Sequence, residues 1–215
     1  MSAFNDFFNA GFVINLASNA TRWAHAQDQI RKFDLKNVMR FDGYEAKDYR
    51  AMPFDGMHNA MGGCTTSHGA ILHMAAHHRW PVTLVLEDDF EIVHPDFHSK
   101  FESMIELVPK DWDVIYLGAH YGEKPMERVN ANVIRGNLIL TTSSYLITGA
   151  HARRVAPYMC GCSPPDHLLS GFAPFSKHYV LQPRLMVQYA NLSDIWGKFT
   201  DNSQCMLDPN HEAMV

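Results

Sequence analysis

One segment limits what this chain can become. At 82–90 the sequence VTLVLEDDF leads five apolar or β-prone residues straight into three consecutive acids, Glu87, Asp88 and Asp89. Burying an unpaired carboxylate is costly, and like charges this close repel. The acids must therefore sit at a solvent edge, be paired, or hold a cation. The five residues before them read as a buried strand, so the cluster falls at that strand's carboxyl end.

Other segments supply partners for this strand. The stretches 11–16, 38–43, 112–118, 137–149 and 178–190 read as further strands, the last two as one or two each. Between them, 21–33 has helical spacing, with Ala20, Trp23, Ala24, Ile30 and Phe33 on one stripe and Ser18 or Asn19 as cap. Helices are also expected over 64–80, capped by Thr65, Thr66 or Ser67 and stopped by Pro81, over 95–108 and over 150–159. Residues 46–63 read as irregular, and 163–172 as a loop that becomes a helix. Strands alternating with helices indicate an α/β fold with a mainly parallel sheet. Such sheets bind ligands beyond the carboxyl ends of their strands, which is where the acids stand.

The bulk properties narrow the function. A chain of 215 residues with 47% hydrophobic and 19% charged residues suits one globular domain. Net charge is −5 and Lys and Arg do not cluster, which speaks against nucleic acid as partner. No run approaches the roughly 20 apolar residues of a membrane span, which leaves only peripheral membrane association open. The start MSAFNDFFNAGFVINL has no basic segment and no long apolar run, so a cytoplasmic location is expected. Cys64, Cys160, Cys162 and Cys205 read as free thiols, because Cys160 and Cys162 are too close for an ordinary zinc pair. His73, His77 and His78 share a helix but read as solvated surface.

Glycine-rich dinucleotide and P-loop signatures are absent, as is the G-x-S-x-G elbow. Any nucleotide phosphates must be handled otherwise. A divalent cation bridging carboxylates to phosphates is the usual remaining route, and such acids suit Mg2+ or Mn2+.

Several segments in order resemble the family 25 glycosyltransferases, which include lipooligosaccharide and procollagen galactosyltransferases. They are FVINLASNATRW, RFDGYEAKD, GCTTSHGAILHMAAHHRWPVTLVLEDDFEI, WDVIYLG, SSYLITGAHARRV, PPDHLL and VQYANLSDI. The block running from Ser67-His68 to Glu87-Asp88-Asp89 is the most specific. Ser143 and Ser144 depart from the family's usual small residues at that point. The likeness covers about 11–195, within one glycosyltransferase domain over 1–215 that ends in a polar tail at 196–215.

The resemblance implies a GT-A-type, Rossmann-like single domain. It also implies transfer of a sugar, such as galactose, from a UDP-sugar to a glycan or other hydroxyl acceptor, with inversion and with Mn2+ or Mg2+ on the donor diphosphate. Asp89 is the implied direct metal ligand, with Glu87 next to it through metal or water. Asp88 would contact ribose, or these roles would be exchanged. In an extended chain Glu87 and Asp89 point one way and Asp88 the other. Asn15, Arg22, Asp42, Gly43, His68, Gln188 and Ser193 are the implied donor contacts, with Asp194 beside the last. Each has a plain structural alternative: a surface residue for Arg22, a turn for Asp42, a core or capping histidine for His68. Asp166 is the implied base for the acceptor hydroxyl, against a helix-capping role, and His167 is a second candidate base or metal ligand. Tyr145 and Trp112 read as core aromatics. Two other functions remain: a non-catalytic nucleotide-sugar or glycan binding module, and a metal-dependent phosphohydrolase. The second needs another acidic cluster, for which Asp111 and Asp113 are the near candidates.

Overall fold

Strands with apolar residues on both faces build the centre of the molecule. Along β3 (Val82–Glu87), Leu84 and Leu86 face one core while Val85 faces the other. β1 (Ala10–Asn15) alternates in the same way, Val13 against Phe12 and Ile14. This two-sided burial is what a sheet covered by helices on both faces requires. The computed structural model describes residues 3–45, 56–121, 127–192, 198–201, 203 and 206.

The remaining sheet strands are β2 (Val38–Asp42), β5 (Val114–Tyr121), β6 (Glu127–Asn130), β7 (Val133–Arg135), β8 (Ile139–Thr148) and β9 (His178–Leu181). They form an eight-stranded sheet in the order β2-β1-β3-β8-β5-β9-β7-β6. β1 is parallel to β2 and β3, and β5 to β9; β8 and β7 run against their neighbours. Six strands thus share one direction and two are reversed, so the sheet is mainly parallel in strand direction. β4 (Phe90–Ile92) leaves the sheet after the acids and pairs with β10 (Met186–Gln188).

The helices α1 (Ala3–Phe7), α2 (Ala20–Lys32) and α4 (Phe97–Ile105) contribute Phe4, Ala26, Phe97 and Phe101 to the core on one face. α3 (Gly56–His78), α5 (Gly149–Val155) and α6 (Pro165–Phe172) contribute Ile71, Leu72, Ala152 and Leu169 to the other. α2 begins as expected, with the Asn19 side chain accepting a hydrogen bond from Arg22 N. Among the described residues no helix is long and apolar enough to cross a membrane.

α3 differs from expectation. It starts at Gly56, within the stretch read as irregular, so Thr65, Thr66 and Ser67 lie inside it and not at its cap. Thr65 and Ser67 instead donate back to the carbonyls of Met61 and Gly63 at 2.9 and 2.7 Å. Two glycines of α3 are required for clearance. A Cβ on Gly63 would lie 2.4 Å from Tyr44 O, and one on Gly69 would lie 2.6 Å from Met159 O. Helix–backbone contacts this close exclude any larger residue. Residues 46–55 lie outside the described part.

Two buried histidines give the fold an acid limit. His178 and His151 meet at 3.3 Å between their Nε2 atoms, with Tyr116 OH 3.5 Å from His178 Nδ1. Burial, then the neighbouring charges of His151 and Arg135, pull His178 down to about 3. Burial also lowers His151, with Asp113 opposing and Arg154 assisting. Both are depressed bases, so the unfolded chain takes up protons first as the pH falls below about 6.5. Stability should therefore be intact above that value and lost toward about 4, by up to about 1.4 kcal/mol per pH unit for each histidine. Denaturation of wild type and His178→Gln across this range measures it. The variant should show the shallower slope; identical slopes would remove the histidines as the cause.

Candidate active site

The acids stand where β3 ends, between the end of β1 and the middle of β8. Ile14 is in register with Glu87, and Leu86 with Ser144. The strand stops at Glu87, and Asp88 and Asp89 form a turn before β4. Strand alternation therefore does not reach Asp89. Asp88 and Asp89 share one partner, Arg22, while Glu87 faces α3 and β8.

Arg22 Nη2 lies 2.5 Å from Asp88 Oδ1 and 2.7 Å from Asp89 Oδ2. Asn15, at the end of β1, donates from Nδ2 to Asp88 Oδ2 at 2.6 Å. Asp89 Oδ2 also accepts from Gln188 Nε2 at 2.9 Å and from Asn191 Nδ2 at 3.4 Å, and Tyr189 N donates to the Asp89 carbonyl. On the α3 side Thr142 Oγ1 donates to Glu87 Oε1 at 2.7 Å. His68 Nε2 is 3.3 Å from the same oxygen, yet the direction of a ring N–H there misses it, so this contact is electrostatic. His68 Nδ1 is 3.0 Å from Tyr145 OH.

A distortion in β8 brings Thr142 to Glu87. From Gly118↔Ser144 to His120↔Leu140, β5 advances two residues while β8 advances four. Within that bulge Thr141 has φ 66°, a left-handed conformation that costs a β-branched residue roughly 1–3 kcal/mol. Its N–H is held by Asp166 Oδ2 at 3.1 Å. Bulges and strained residues of this kind gather at functional sites, where they re-aim a side chain.

The charges are unevenly balanced. Burial is the largest influence on Asp88 and Asp89 and raises them to about 7 and about 6; Arg22 lowers both without cancelling it. Burial would raise Glu87 too, but His68, Thr142 and Arg22 outweigh it and hold that carboxyl below its usual range. The Cys64 thiol is pushed well up, first by burial and then by Glu87, Asp166 and Asp89. Among the described residues, one Asp89 oxygen, Oδ1, and the Asn15 oxygen Oδ1 are buried without a hydrogen-bond partner. Unmet acceptors beside a partly neutralised acid cluster are what a hard cation would satisfy, so these residues fit Mg2+ or Mn2+.

Asn15, Arg22, His68, Glu87, Asp88, Asp89 and Gln188 thus come together around the end of β3. Gly43 adjoins them, donating from its N–H to Asn15 O at 3.0 Å. Asp42 is in register with Asn15 but exposed, with Arg40 Nε 3.3 Å from its carboxylate. Asp166 lies in the first turn of α6, linked to the cluster through the Thr141–Thr142 bulge; its Oδ1 accepts from His167 N at 2.8 Å. The His167 side chain is exposed, and Ser193 and Asp194 lie outside the described residues. Cys64, Thr142, Tyr145 and Asn191 also border the site; the sequence reads Cys64 only as a free thiol and Tyr145 only as a core aromatic, and gives no sign of the other two. Asp113 precedes β5 at the opposite end of the sheet, its carbonyl bonded to Thr148 N level with Val82. It cannot supply a second metal beside Glu87, which weakens the phosphohydrolase reading.

No family model matches the chain, and no curated protein matches it by sequence. Solved structures do resemble it. A glycosyltransferase involved in the glycosylation of the major capsid of PBCV-1 covers 96% of this chain and 100% of its own, at TM-score 0.53 and 10% identity. A197 from STIV covers 89% of this chain and 92% of its own, at TM-score 0.50 and 11% identity. The chain has a glycosyltransferase-like, GT-A-type fold.

Proposed function

We propose that this protein is a metal-dependent glycosyltransferase related to family 25, a single catalytic domain over residues 1–215. It moves a sugar, galactose being our choice, from a UDP-sugar to a hydroxyl of a glycan or similar acceptor, with inversion. The observation that carries this reading is the Glu87-Asp88-Asp89 cluster at the carboxyl end of β3, with Asp88 and Asp89 buried and, among the described residues, incompletely satisfied by Arg22, Asn15 and Gln188. The free thiols of Cys64, Cys160 and Cys162 suit a reducing, cytoplasmic setting.

On this reading Asp89 would hold Mn2+ or Mg2+ directly, with Glu87 next to it through metal or water, and Asp88 would meet the ribose. A cation held there would offset the charge that develops on a departing diphosphate. Arg22, already poised between Asp88 and Asp89, adds a fixed positive charge beside that diphosphate. Asn15 and Gln188 keep the two aspartates in place, Asp42 and Gly43 border the nucleoside side, and His68 and Ser193 are further proposed donor contacts, Ser193 toward the phosphates or metal. Asp166 accepts the proton of the attacking hydroxyl, with His167 as the alternative base.

UDP with Mn2+ should raise Tm by roughly 5–10 °C at about 100-fold over Kd, and GDP or CMP by less. A thermal-shift panel of nucleotides, with and without Mn2+, tests this. Equal shifts with every nucleotide, or none, would remove the support for a UDP donor.

A further inference from the structure

Beside the aspartates lies a second ligand set of different chemistry. Cys64 and His68 stand one helical turn apart on α3, so they share a face. That face packs on the same side of the sheet as Val85, the side toward which Glu87 also projects. One ligand atom each from Cys64, His68 and Glu87 lies within 4.8 Å of the others. We propose that these three residues form a binding site for a thiophilic divalent transition ion of the zinc class.

Two features beyond proximity support it. His68 is buried, and among the described residues its Nε2 has no hydrogen-bond partner although it lies 3.3 Å from Glu87 Oε1. A nitrogen and an oxygen that approach without bonding each other can both point at a common ion. The other ring nitrogen, Nδ1, is 3.0 Å from Tyr145 OH, and Thr142 Oγ1 donates to Glu87 Oε1 at 2.7 Å. Outer contacts of this kind fix a metal-binding histidine and carboxylate in place. Cys64 and Glu87 have intermediate exposure, while His68 is buried.

The donor set selects the ion. A thiolate, an imidazole and a carboxylate favour zinc-like ions over Mg2+ and Mn2+, which prefer oxygen alone. Three protein ligands leave a fourth tetrahedral position for water or another small ligand. On binding, the Cys64 S–H bond breaks, its proton passes to water, and the sulfur electron pair forms the bond to the metal; nothing is oxidised. The proposal shares Glu87 and His68 with the transferase reading but does not rest on it, because the test needs no sugar donor.

The test is Co2+ alone, added to the Cys160→Ser/Cys162→Ser protein. That background is needed because those exposed sulfurs lie 3.4 Å apart and could chelate by themselves. A near-ultraviolet thiolate-to-Co2+ charge-transfer band should appear, and Zn2+ but not Mg2+ should abolish it. Adding Cys64→Ser, with circular dichroism confirming the fold, should eliminate the band. Tyr145→Phe should keep it but weaken Co2+ affinity by about 10–100-fold, the usual cost of an outer contact. No band in the folded parent, or a band that survives Cys64→Ser, overturns the proposal.

Discussion

Asp89→Asn is expected to lower sugar transfer by roughly 10³-fold or more while leaving the protein at least as heat-stable as wild type. The activity loss follows from removing a charged ligand of the donor cation, whose stabilisation of the leaving group is worth several kcal/mol. The stability result follows from burial. Asp89 is held up at about 6, above the ordinary carboxylate value, so its ionised form is disfavoured in the folded state. A raised acid contributes stability while protonated and loses it as the pH rises through about 6. At neutral pH a neutral isostere removes that cost and keeps an oxygen for Gln188 and Asn191. Turnover and Tm measured on one preparation decide the matter. Full turnover would remove Asp89 from the machinery; a sharp fall in Tm would make its role structural.

Asp166→Asn should lower turnover by roughly 10²–10⁴-fold, the usual worth of a general base, with little change in UDP affinity. An inverting attack comes from the face opposite the leaving diphosphate, and Asp166 reaches the site from α6 and not from the β3 turn. The same carboxylate accepts backbone hydrogen bonds from Thr141 and His167, so it also acts as a local clamp. Asparagine keeps an oxygen for one of them, which limits the stability change to about 1 kcal/mol. Wild-type turnover in the variant would leave Asp166 a clamp and make His167 the better base. A loss of UDP affinity would move Asp166 to the donor side.

Residues 82–89 made both the fold and the site readable, because apolar alternation gives a strand and acids at its end give a ligand position. Asn15 and Arg22 were readable through the resemblance, and the structure joins both to Asp88. The pairing of Asp88 with Asp89 was not readable, since alternation holds only while the chain stays extended and here it turns after Glu87. Thr142 reaches Glu87 through a bulge and a left-handed Thr141, and neither leaves a compositional trace. The N-terminal extension of α3 was hidden by Gly62 and Gly63, which locally signal a break; the nearby Tyr44 backbone that requires Gly63 is a tertiary fact. Cys64 did carry a signal, its four-residue spacing from His68, but that spacing gains meaning only once Glu87 is placed beside it.

The central claim is that the acid cluster handles a sugar nucleotide through a divalent cation. The most direct measurement is release of UDP from UDP-galactose and related UDP-sugars without acceptor, where water takes the acceptor's place. UDP should appear slowly with Mn2+ present and stop in EDTA and in Asp89→Asn. Release that is unchanged by EDTA, or no release from any UDP-sugar by a folded protein with Mn2+, would contradict it.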